Sequence, residues 1–77
     1  MTTIFSKTAA RQGMRVCYEL LEEDGRYGLR VSCGADSEEI PDLTLEKELL
    51  LQLLHAMHRG FVTPVTAVDI AEDWLLR

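Results

Sequence analysis

The stretch MRVCYELLEEDGRYGLRVSC, residues 14–33, constrains the fold more than any other part of the chain. Met14, Val16, Tyr18 and Leu20 alternate with Arg15, Cys17 and Glu19. Tyr27, Leu29, Val31 and Cys33 alternate with Arg26, Arg30 and Ser32. A period of two is that of a strand with one buried face. Asp24-Gly25, between the runs, suits the two positive φ angles of a type I′ turn. A two-residue loop pairs Glu23 with Arg26, and hence Leu20 with Leu29, Tyr18 with Val31 and Val16 with Cys33. The paired apolar residues then share one face, while Glu19 meets Arg30 on the other. A slip of one residue would undo every pair, so the register is well specified. In it Cys17 and Cys33 project from opposite faces, and no disulfide joins them.

Two helices follow a connector. Residues 34–43, GADSEEIPDL, are rich in turn formers, although Glu39-Ile40 is able to add a short edge strand ending at Pro41. Thr44 is expected as the N-cap of LEKELLLQLLHAMHR, with Gly60 at its C′ position. At about 100° per residue, Leu45, Leu49, Leu50, Leu53, Leu54, Ala56 and Met57 fill one broad face. Leu51 falls opposite, among Lys47, Glu48, His55 and His58. Thr63-Pro64 opens the second helix, since proline at N1 costs no hydrogen bond. Its stripe is Ala67, Val68, Ile70, Ala71, Trp74 and Leu75, with Asp69, Glu72 and Asp73 on the reverse beside Val65 and Leu76. Residues 1–13 show no clear period and are expected as a flexible segment, with Thr3-Ile4-Phe5 as a candidate strand.

The expected fold is therefore α+β: an antiparallel hairpin of two strands, three at most, covered on one face by two α-helices. Residues 14–77 make the single domain. An isolated hairpin is marginal in water, so the helices must cover it.

Composition limits the function classes. At 77 residues and a net charge of −5, the chain has little core to spare and no strong basic patch. Binding to nucleic acid or anionic lipid rests on neutralising phosphate, so both are expected to be absent as partners. No apolar run approaches a membrane span, and the N-terminus lacks the h-region of a secretory signal, which leads us to expect a cytoplasmic protein.

The candidate site is the acidic face of the second helix. Asp69, Glu72 and Asp73 stand at i, i+3 and i+4, an arrangement that costs a few tenths of a kcal/mol in like-charge repulsion. A solvated face is the simplest reading, and a basic protein partner is the functional one. Leu51 and Leu76, apolar residues on polar faces, supply the greasy part of such a surface, or of a homodimer contact. A straight helical face offers too few oxygens for calcium, and His55 with His58 offers too few ligands for zinc, so no metal or cofactor is expected. Both histidines suit the negative C-terminal end of their helix. No oriented base or phosphate loop accompanies Cys17 or the scattered glycines, so no catalytic residue is assigned and an enzyme is not expected.

Tyr27-Gly28-Leu29-Arg30-Val31, together with Val62-Thr63-Pro64, Asp69, Glu72-Asp73 and Trp74-Leu75, resembles a family of small bacterial proteins, mostly clostridial, classed as a domain of unknown function. The resemblance covers most of residues 14–76. It implies a bacterial cytoplasmic protein and brings no activity, cofactor or catalytic residue with it. The reading that emerges is a small non-enzymatic protein–protein interaction module using Asp69, Glu72, Asp73, Leu51 and Leu76. The competing readings are a small-ligand or metal-binding module on His55, His58 or the acidic face, and a structural subunit without separable activity.

Overall fold

A computed structural model describes residues 2–75, Leu75 by its backbone only. The order is ββββαα: β1 (Thr2–Arg11), β2 (Met14–Glu23), β3 (Arg26–Cys33), β4 (Asp36–Thr44), α1 (Lys47–Gly60) and α2 (Pro64–Leu75). The strands form one antiparallel sheet in sequential order. Both helices lie on one face, α1 chiefly over β2 and β3, α2 over β4 and β3.

The central hairpin has the expected register: Glu23 pairs with Arg26, Leu20 with Leu29, Glu19 with Arg30 and Tyr18 with Val31. Asp24 and Gly25 take φ of 52° and 79°, as the type I′ turn requires. Cys17 stands opposite Ser32, and both cysteines are free.

The sheet has four strands rather than two or three, and the difference lies at its edges. Residues 2–11, read as a flexible segment, form β1 and pair with β2 along their length. Gln12-Gly13 makes this possible, with φ of 50° and 82°, the same turn geometry as Asp24-Gly25. The connector read in residues 34–43 is mostly β4, entered through Gly34 at φ 60°. Neither strand shows clean alternation because each is an edge whose helix-side face is only partly covered.

Two bulges shape these edges. Thr3 pairs with Leu21 and Phe5 with Leu20, so Ile4 is the extra residue, and Phe5, Lys7 and Ala9 turn to the helix side. On β4, Tyr27 pairs with Thr44 but Leu29 with Ile40, so residues 41–43 loop out across Gly28. A Cβ on Gly28 would sit 2.5 Å from the Ile40 carbonyl oxygen and 2.7 Å from Pro41 Cα. That contact is why β3 carries glycine and not a larger residue between Tyr27 and Leu29.

Val16, Tyr18, Leu20, Leu29 and Val31 meet Leu50, Leu53, Leu54 and Met57 of α1 and Ala67 and Ala71 of α2 in one core. Leu21, on the opposite face of the sheet, is also buried, beside the β4 loop at Gly28 and Pro41. The rest of that face is polar, with Arg30 bridging Glu19 and Glu39 at 3.5 and 2.9 Å.

The helix limits differ by a few residues from the sequence reading. Thr44 ends β4, and its hydroxyl accepts the Glu46 N–H at 3.1 Å; the N-cap is Glu46. Leu45 thus precedes the helix and is 69% exposed, and Leu49 and Ala56 also lie outside the buried face. At the other end Phe61, not Gly60, takes the left-handed conformation at φ 51°. The Phe61 N–H donates to the His58 carbonyl and the Val62 N–H to that of Met57, a Schellman closure. Phe61 accepts this backbone because its ring packs against the core and lies 5.2 Å below the Arg11 guanidinium. Pro64 opens α2 as expected, the Thr63 carbonyl accepting the Ala67 N–H at 3.0 Å.

Candidate functional site

Packing on the sheet leaves α1 and α2 in closer contact with the strands than with each other, and an open groove of about 560 Å³ runs between them. Its walls are Gln52, Leu53 and Ala56 from α1 and Asp69, Ile70, Asp73 and Trp74 from α2. The reason is steric. The side chains that α2 buries in the core include the small Ala67 and Ala71, and Ala56 faces the groove from α1. Trp74 is only half-buried and Ile70 is 37% exposed, so the groove has an apolar lining with two carboxylates beside it.

The residues assigned from the sequence separate here. Asp69 and Asp73 are exposed and line the groove. Glu72 is exposed and does not line it. Leu51 is not a free apolar residue: it is half-buried and packs against the core, on the other side of α1. Leu76 lies outside the described residues. The sequence reading assigns none of the other lining residues, Gln52, Leu53, Ala56, Ile70 and Trp74, although a tryptophan set against alanines is a readable signal of incomplete closure.

Leu51, His55 and His58 share a stripe at i, i+4 and i+7, and β1 explains where it points. The extra strand carries the sheet under this flank of α1, which a two-stranded hairpin would have left in water. His55 lies edge-on to Phe5 at 5.8 Å, and its Nδ1 accepts from Lys7 Nζ at 3.4 Å. His58 Nε2 donates to the Thr8 carbonyl at 3.1 Å and its ring stands edge-on to Tyr18 at 6.0 Å. Each ring is thus engaged with β1. Among the described residues no group of three or more His, Cys, Asp or Glu is arranged to hold a metal ion.

Tyr18 lies at this end of the core. Burial pushes its phenol above the ordinary value, against the lowering influence of Arg11, while Cys33 adds to the rise. No helix among the described residues is long and apolar enough to cross a membrane.

No curated protein and no solved structure matches the chain. A family model matches residues 2–77, so the pairing of β1 with the central hairpin falls within the matched region along with both helices. The chain belongs to the family of unknown function DUF6514.

Proposed function

We propose that this protein is a non-enzymatic interaction module whose α1–α2 groove receives a basic amphipathic helix from a partner protein. The observation that carries the reading is the union of an apolar lining (Leu53, Ala56, Ile70, Trp74) with Asp69 and Asp73 in one groove. A third helix laid between two others packs its apolar ridge into such a space, and lysines or arginines flanking that ridge meet the carboxylates. Glu72, on the same helix, adds to the negative field that steers a cationic partner.

A synthetic helical peptide with leucines at i, i+4 and i+7 flanked by lysines tests this by fluorescence anisotropy. The lysine peptide is expected to bind at least tenfold more tightly than its glutamate counterpart, with affinity falling as salt rises. Asp69→Lys with Ile70→Glu should abolish binding while the circular dichroism spectrum is retained. Equal binding of the two peptides, or unchanged binding to the double variant, would overturn the proposal. Self-association through the groove, detected by sedimentation and removed by Ile70→Glu, would replace the foreign helix by a second copy.

A further inference from the structure

The charges of this acidic chain are sorted in space. All thirteen acids fall in residues 19–48 and 69–73. Residues 2–18 hold Lys7, Arg11 and Arg15, and residues 49–68 hold His55, His58 and Arg59, with no Asp or Glu in either segment. The fold lays these two segments against each other, because α1 leans over β1 through the His55 and His58 contacts. On the helix side an acid-free margin results at the Lys7–Arg11 end of β1, while on the other face Glu19 accepts from the Thr3 hydroxyl at 3.0 Å.

The cations there are held by neutral groups. Lys7 donates to the His55 ring, and Arg11 donates to the Arg59 carbonyl at 3.2 Å while lying over Phe61. Ion pairs of the described residues join Arg26 to Asp42 and Arg30 to Glu19 and Glu39, away from Lys7 and Arg11. One bond to a carbonyl leaves most of the five guanidinium donors of Arg11 for another acceptor. An open recess of about 640 Å³ lies here, lined by Thr8, Ala9, Ala10, Arg11, His58 and Arg59.

The two sheet edges are unlike. β4 is guarded by Pro41, by the loop at residues 41–43 and by Asp36, Glu38, Glu39 and Asp42. β1 pairs only with β2, contains no proline and no acid, and exposes Ile4 and Phe5. Beyond the bulge at Ile4, residues 5–11 pair with β2 without interruption, and a regular edge of that length is a template for a further strand.

We propose that β1 is a docking edge for an extended acidic segment of a partner protein. Its main chain adds beside β1, and its carboxylates, four residues apart on one face, meet Lys7 and Arg11, which are themselves four apart on the helix side. Arg59 borders the same recess. This surface is separate from the α1–α2 groove, so the protein would join a basic helix to an acidic strand.

The probe is a fluorescein-labelled nonapeptide of alternating threonine and valine with glutamates at its third and seventh positions. It is expected to bind, to lose at least tenfold in affinity to Lys7→Gln with Arg11→Gln, and to slow amide hydrogen exchange in β1 and not in β4. The same peptide with lysines for glutamates should not bind. Arg59→Gln, an exposed change, should weaken binding severalfold and serves if the double variant does not fold. The proposal falls if the lysine peptide binds equally, if protection appears on β4, or if a thymidine dodecamer competes as well as the peptide, which would mark a general polyanion surface. It falls too if the nonapeptide fails to bind wild type at millimolar concentration.

Discussion

The Tyr18 hydroxyl donates to the Val62 carbonyl oxygen at 2.7 Å, tying the middle of the sheet to the link between the two helices. The Val62 N–H is already used in closing α1, so both polar groups of this residue are engaged and the angle at which α2 leaves is held. The width of the α1–α2 groove depends on that angle.

Tyr18→Phe should therefore cost about 1 kcal/mol, the usual loss when a hydrogen bond is removed and an acceptor left behind. It should also change the alkaline limb of stability. The folded state favours the neutral phenol, so the unfolded chain releases its proton first as pH rises. The stabilisation is full below about pH 10, the ordinary value, and is lost as pH climbs through the raised value in the fold. Urea unfolding between pH 8 and 11 should show a steeper decline for wild type than for Tyr18→Phe; parallel curves would contradict the assignment.

Gly28→Ala should destabilise by about 1–3 kcal/mol, because the added methyl meets backbone atoms of Ile40 and Pro41 and not a movable side chain. The urea midpoint should fall with an unchanged slope. A neutral effect would show that β4 does not cross Gly28.

The β1–β2 turn permits two changes of opposite sign. Gln12→Asn should stabilise by about 0.3–0.5 kcal/mol, since asparagine tolerates the φ of 50° better than glutamine. Gly13→Ala should destabilise by about 1–2 kcal/mol at φ 82°. Were residues 1–13 a free tail, neither would alter the melting temperature.

Leu54→Ala should cost about 2–5 kcal/mol, because Leu54 is fully enclosed by sheet and helices. Leu49→Ala, at a site 40% exposed, should cost less than about 1 kcal/mol. Similar losses at the two sites would mean that α1 is rotated on the sheet.

The sequence by itself determined the central hairpin, its register and its turn, because the period-two pattern and Asp24-Gly25 are local and a slip would expose every apolar side chain at once. It also determined the two helices and the Thr63-Pro64 start of the second. Only the tertiary structure decided the rest. β1 and β4 are edge strands, half solvated, and their membership in the sheet rests on pairing and not on their own pattern. The same two strands reassign the helix faces: β1 extends the sheet beneath Leu51, His55 and His58, and β4 gives α2 its seat. Asp69 and Asp73 were visible as an acidic face, but that face became one side of a groove only when the alanines that α2 buries in the core and Trp74 beside it left the helices apart. A helical wheel states which residues share a side; which side meets a neighbour depends on how much surface the rest of the chain brings to it.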